Sequence, residues 1–232
     1  MRRLSLALLT VLVAMPLHGA HAQIIRGGRI ALRDPQWWIS ASLGWQEGWT
    51  VNDGETSPLP SASARWDIAD VQQYGLSIER SVRSGISIGV RGTTSEPTAK
   101  ITAPSISFMP MDGQLVYVTV PAVVRVSQAL GVVHVTSGRD FRSVFELGVG
   151  ATIYSPFRHQ NLGETLEQTR TDADFAFSFA YGLGYSFSRN FQVDVVQDLG
   201  TSLHQKTGLA AGEDRSARIR STRLVARYGF GS

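Results

Sequence analysis

Residues 172 to 196, DADFAFSFAYGLGYSFSRNFQVDVV, place Phe175, Phe177, Phe179, Tyr181, Leu183, Tyr185 and Phe187 at every second position. Ala176, Ser178, Ala180, Gly182, Gly184 and Ser186 fill the places between. Successive side chains of a strand point to opposite faces, so a period of two over this length specifies an extended strand. One face would be almost wholly aromatic and the other nearly bare. Any fold for this chain has to supply an apolar environment on the first face and a crowded one on the second.

The same period recurs along the chain. It is read in 37–45 (WWISASLGW), 74–80 (YGLSIER), 85–92 (GISIGVRG), 145–154 (FELGVGATIY), 191–195 (FQVDV) and 223–230 (RLVARYGF). In 115–127 (LVYVTVPAVVRVS) the same parity carries Val116, Val118, Val120, Ala122, Val124 and Val126. With the opening stretch this makes about eight strands, each near the length that a tilted membrane-spanning strand needs. Short connections of turn composition, SVRS at 81–84 and Ser188-Arg189-Asn190, alternate with long polar ones at 46–65, 95–113, 155–171 and 199–216. The long loops are therefore expected to share one rim. At 128–141 the pattern is read as an extension of the fourth strand to Thr136 with a turn at Ser137-Gly-Arg-Asp140, rather than as an additional hairpin.

Alternation alone also describes a soluble sandwich, whose outward face would be rich in charge. Here the larger face is aromatic and aliphatic from end to end, and the smaller is Gly, Ser and Ala with occasional charge. A closed sheet in lipid explains both faces. It satisfies every backbone group internally, needs an apolar outer band, and has an interior that eight strands leave only wide enough for small side chains. On this reading Phe175, Phe177, Phe179, Tyr181, Tyr185 and Phe187 face lipid. The fold expected is an all-β, eight-stranded, antiparallel up-and-down transmembrane barrel over 37–232.

The N-terminus is consistent with export. Arg2 and Arg3 precede an apolar run from Leu4 to Leu17, and Ala20-His21-Ala22 offers a cleavage site before Gln23, which is signal-peptide chemistry over residues 1–22. Residues 23–36 would then form a short periplasmic segment. Removing Arg2 and Arg3 takes the formal charge from +3 to +1. Lys100 and Lys206 are the only lysines and no basic run resembles a nucleic-acid footprint, so nucleic acid is not an expected partner. The absence of cysteine excludes disulfides, thiolate metal sites and a lipoprotein anchor. No cofactor or metal motif is present; His134, His159 and His204 are scattered.

These features together resemble the small eight-stranded outer-membrane β-barrel family, in the manner of the transmembrane domain of outer membrane protein A. The resemblance spans 37–230 and rests on strand pattern, loop alternation, leader and an aromatic last strand. Such proteins commonly close on a motif of polar, x, Gly, x, x, hydrophobic, x, aromatic. Arg223, Tyr228 and Phe230 match it, whereas Val225 replaces the glycine and Gly231-Ser232 follow the aromatic. The resemblance implies outer-membrane lipid, periplasmic chaperones and the barrel-insertion machinery as partners, with Tyr228 and Phe230 as the insertion signal. It implies a structural, adhesive or narrowly permeating role. No length remains for a C-terminal peptidoglycan-binding domain.

The parity that faces Phe175 to lipid sends Glu79, Arg91, Arg125, Glu146, Asp194, Arg223 and Arg227 into the lumen. Isolated charges there would be costly, so they are expected to pair. Hairpin geometry suggests Arg125 with Glu146 and Asp194 with Arg223, within a residue pair or two. Such pairs are either a polar plug or a gated ion path. Two other classes share the eight-stranded pattern. A lipid A-modifying barrel enzyme would need a His with a Ser and a carboxylate at the outer rim, for which His159 and His204 with Ser155, Glu164 or Ser202 are the candidates. A soluble lipocalin-like carrier of apolar ligands would need a polar exterior, and Gly44-Trp45 is wrongly spaced for its motif. A non-enzymatic barrel is the expectation. The long loops carry Trp49, Phe108, Met109, Met111 and Phe157, which form either a girdle at the rim or a contact for an extracellular ligand.

Overall fold

The computed structural model describes residues 35–53, 64–104, 116–166, 171–203 and 216–231, all within one unit, Arg33–Ser232. The leader at 1–22 lies outside them, as do Phe108, Met109, Met111 and His204. In chain order the strands are β1 (Trp37–Gln46), β2 (Trp49–Asp53), β3 (Ala64–Ile68), β4 (Val71–Arg83), β5 (Ile86–Ser95), β6 (Thr98–Pro104), β7 (Tyr117–Val123), β8 (Val126–Gly138), β9 (Phe141–Tyr154), β10 (Arg158–His159), β11 (Asp172–Ser186), β12 (Phe191–Leu203) and β13 (Ser216–Phe230).

Eight of these close on themselves in the order β1-β13-β12-β11-β9-β8-β5-β4, all antiparallel. The seam joins the two ends of the chain, with Trp37 opposite Phe230 and Gln46 opposite Ser221. Closure leaves no edge strand among the eight. Every backbone group in the band can then find a partner inside the sheet, which is the condition for crossing lipid.

The alternation of the sequence becomes the two faces of this wall. Phe175 is 54% exposed and Ala176 1%. Phe177, Phe179, Tyr181, Leu183, Tyr185 and Phe187 share the outer face with Ile39, Leu76, Ile88, Val90, Leu147 and Val149. The bare inner face is required by space: a Cβ at Gly148 would lie 2.6 Å from Ser178 Oγ and 3.2 Å from a Leu130 methyl. At the short-turn end the outer aromatics touch in series. Phe141, Tyr185, Phe187 and Phe191 follow one another at centroid separations of 5.1, 4.9 and 5.8 Å, an interfacial belt in composition and place. Trp37 continues it beside the Arg80 guanidinium at 5.7 Å.

Short connections from one barrel strand directly to the next are confined to one end: Ser84-Gly85, Arg139-Asp140 and residues 187–190. Gly85 (φ 75°) and Gly138 (φ 119°) supply the positive φ that the first two hairpins require. The fourth barrel strand does extend past 128 and turns inside Ser137–Asp140, but it begins only at Val126. The segment before it belongs to a different sheet, which corrects the reading of 115–127 as a barrel strand.

That sheet is built by the long connections, in the order β10-β7-β6-β3-β2. Here the parity is reversed: Trp66, Ile68, Ala99, Ile101, Ala122 and Val124 are buried, while Arg65, Lys100 and Thr119 are exposed. The reversal reaches the top of β13, where Ala217 and Ile219 turn inward and Arg218 and Arg220 outward. An apolar outer face gives way to a charged one along a single strand. The boundary between lipid and water is written in that change.

Candidate functional site

The inward side chains stack in layers. Nearest the short turns, Arg227 donates to Glu79 Oε2 at 2.5 Å and to Ser87 Oγ at 3.2 Å, and its guanidinium lies 5.0 Å from the Trp38 ring centre. Glu79 is further held by Ser87 at 2.5 Å and Ser77 at 3.0 Å, and Ser77 by Ser40 at 2.6 Å. One level up, Arg91 and Arg223 share two carboxylates. Arg91 pairs with Glu146 and, at 3.1 Å, with Asp198; Arg223 pairs with Glu146 at 3.3 Å and Asp198 at 3.0 Å. All these groups are buried.

His134 joins the two levels. Its Nε2 lies 2.8 Å from Arg227 Nη1 and its Nδ1 3.5 Å from Glu146 Oε2. A guanidinium can only donate, so Nε2 accepts and the proton sits on Nδ1, facing the carboxylate. Glu79, His134 and Glu146 bring ligand atoms within 4.8 Å of one another, which is a metal-like grouping. Three guanidiniums already pair with these two carboxylates, and a divalent cation would have to compete with them. The cluster is therefore an ion-pair network in its chemistry.

Two of the expected pairs are not made. Arg125 lies beyond the barrel strand, is exposed, and approaches Glu96 at 3.8 Å; Glu96 in turn accepts from Arg158 at 2.7 Å. The β8 start at Val126 removes Arg125 from the lumen, and the residue opposite Glu146 is His134. Asp194 faces Val225 rather than Arg223. Arg223 takes Asp198 instead, two inward positions higher on β12, and both Asp194 carboxylate oxygens are buried with no hydrogen bond among the described residues. Asp198 was legible: it continues the inward parity of Gln192 and Asp194. In the sequence His134 reads only as an isolated histidine, because nothing local says that Arg227 and Glu146 meet it.

Above the ions lies a second polar layer, which includes the buried Asp174 opposite Thr152. Gln46 Oε1 accepts from Ser95 Oγ at 2.8 Å and from Gln73 Nε2 at 3.4 Å, and Gln128 donates to Thr152 at 3.1 Å. Val126, Tyr154 and Ala217 end the barrel interior and pack into one apolar cluster with Trp49, Trp66, Ile68, Ile101, Val124 and Phe157 of the outer sheet and its connections. Trp66 and Phe157 meet edge to face at 4.6 Å. Trp49 and Phe157, read from sequence as rim girdle or ligand contacts, are core residues of this cap.

The outer sheet carries its own ion pair. Asp67 accepts from Thr50 at 2.7 Å and from Arg65 at 3.0 Å. Burial pushes its carboxyl upward, but the Thr50 hydroxyl and the Arg65 and Lys100 charges outweigh that and hold it below the usual value of 3.8.

The described histidines form no Ser-His-carboxylate relay. His159 Nδ1 accepts the backbone N–H groups of Asn161 and Leu162 at 3.2 and 3.3 Å, and Ser155 Oγ accepts from Arg125 N and donates to the Pro156 carbonyl. Tyr228 and Phe230 stand on the outer face of the closing strand.

No protein-family model and no curated protein matches the chain. Solved structures are similar to it at low identity. Neisserial surface protein A is 10% identical with a TM-score of 0.48, covering 84% of this chain and 97% of its own. The outer membrane protein OprG of Pseudomonas aeruginosa is 9% identical (TM-score 0.46; 85% and 95%), and the attachment invasion locus protein Ail of Yersinia pestis 13% (0.42; 84% and 99%).

Proposed function

We propose that the protein is an outer-membrane barrel of structural and adhesive type, with the short turns in the periplasm and the five-stranded sheet outside the cell. The observation that carries this reading is the way the lumen ends. Within the ion-pair cluster the described residues leave a void of only about 10 Å³, beside Glu79, Arg91, Glu146 and Asp194, too small for a water path. The interior then serves to hold the wall rigid while the outer sheet presents a surface.

Purified protein in planar bilayers should show no stepwise conductance, and regular current steps would replace this reading with that of a narrow pore. A deletion strain should keep its lipid A profile, because the described residues assemble no acyl-transfer site. Whole cells displaying the barrel should bind surfaces or matrix components that cells carrying a variant without the outer sheet do not. Mass spectrometry of the mature chain should find Gln23 at its N-terminus.

A further inference from the structure

The short-turn end of the lumen opens into a cavity of about 510 Å³, a volume typical of sites for small solutes. Its wall has an unbalanced composition. Arg83, Arg142, Arg189 and Arg227 converge on it, Arg189 already engaged in an interaction of its own, and among the described residues no carboxylate lines it. Ser81, Ser84, Ser87, Thr136 and Ser137 add hydroxyls around the same mouth. Among the described residues, three acids lie outside this wall: Glu79 is held by Arg227 and Ser87, Asp194 borders the smaller void deeper in the lumen, and Asp140 sits in the neighbouring turn.

Of the four guanidiniums, Arg227 is committed to Glu79, His134 and the Trp38 face. Arg142 turns its Nε to the Arg139 carbonyl at 2.9 Å, a neutral acceptor. Among the described residues neither Arg83 nor Arg142 makes an ion pair with a carboxylate, although Asp194 lies close enough to feel the Arg142 charge. Like charges gathered around one mouth concentrate a positive potential, and guanidiniums bind planar or tetrahedral oxyanions through paired N–H groups. The void, the hydroxyls and the charge describe one ligand chemistry.

We propose that this vestibule is a binding site for a small oxyanion, a phosphate or carboxylate carried on a solute or on a lipid headgroup, that enters from the short-turn side. Arg83 and Arg142 make the new contacts, and Trp38 with Arg227 forms the floor. That the ligand comes from the periplasm rests on the orientation proposed above; that the site binds oxyanions does not.

The test uses full-length mature protein in phosphatidylcholine nanodiscs, where both ends are accessible. Inorganic phosphate, glycerol phosphate and succinate are titrated while arginine side-chain N–H and tryptophan indole NMR signals are followed. The expected result is a saturable shift at Arg83, Arg142 and the Trp38 indole, with Arg125 and Arg158 at the other end unmoved. Arg142→Gln should weaken binding about tenfold, the loss of one charge-assisted hydrogen bond, and Arg142→Lys should retain most of it. A heat-modifiable gel shift shows that each variant is folded.

A second arm replaces part of the lipid with phosphatidylglycerol. If the headgroup is the occupant, the same signals move without added phosphate and phosphate moves them no further. If a free solute is the occupant, they stay in place until phosphate is added. Shifts that do not saturate, that appear equally at Arg125 and Arg158, or that Arg142→Gln leaves unchanged would overturn the site. Orientation is read separately, by protease or label access to the 187–190 turn in intact cells, so a periplasmic or an external result leaves the binding test standing.

Discussion

At the scale of residues, the interior charges differ in what each holds. Glu146 serves Arg91, Arg223 and His134, so Glu146→Ala leaves two buried guanidiniums sharing Asp198 alone. Removing one partner of a buried pair costs about 3–5 kcal/mol, and urea unfolding in lipid vesicles should register a loss of that order. Arg125→Ala should change stability by under about 1 kcal/mol in the same assay, since its contact with Glu96 is exposed. A comparable loss on Arg125→Ala would return that residue to the lumen. Asp67 gives a pH effect with a definite sign. Its folded carboxyl titrates below the ordinary 3.8, so its contribution is complete above that value and is lost as the pH falls through the lower folded one. The indole NMR signals of Trp49 and Trp66 should broaden below about pH 4 in the wild type. In Asp67→Asn the carboxylate contribution is absent at every pH, so the broadening at neutral pH should match that of the acidified wild type.

At the scale of elements, β7 and β8 show how one run of sequence can serve two solvents. Val116, Val118, Val120, Val124 and Val126 keep a single parity, yet Val118 is exposed and Val124 and Val126 are buried. The strand leaves the barrel wall at Val124-Arg125 and enters a sheet whose apolar face points toward a local core. Phe157 is fully buried in that core, and Phe157→Ala should cost about 3–5 kcal/mol of local stability. Hydrogen exchange should then accelerate in β3, β6 and β7 while β9, β11 and β12 stay protected. Uniform acceleration through the barrel would mean that the cap and the wall form a single cooperative unit.

At the scale of the molecule, eight strands, an apolar outer face and an aromatic belt at the short-turn rim describe a barrel held by closure of its backbone hydrogen bonds in lipid. Such a sheet resists local opening because no edge is available from which to unzip it. Unheated protein in dodecyl sulfate should migrate as a compact species and boiled protein as an extended one. A single unshifted band, or recovery in the soluble periplasmic fraction, would contradict the barrel.

The wall was legible in the residues because a period of two depends only on neighbours along the chain. Phe175 to Phe187, the Gly-Ser-Ala face opposite them and the alternation of turn and loop lengths were enough for strand number, closure and lining. They also placed Glu79, Arg91, Glu146, Asp194, Arg223 and Arg227 on the inner face. Parity names a face and not its partners. Only the register across four or more strands brings Arg91 and Arg223 to Asp198, sets His134 between Arg227 and Glu146, and leaves Asp194 facing Val225. Nor does parity say which solvent a face meets: the reversal at the outer sheet, the burial of Trp49 and Phe157 and the arginine-lined vestibule all depend on contacts between segments distant in sequence.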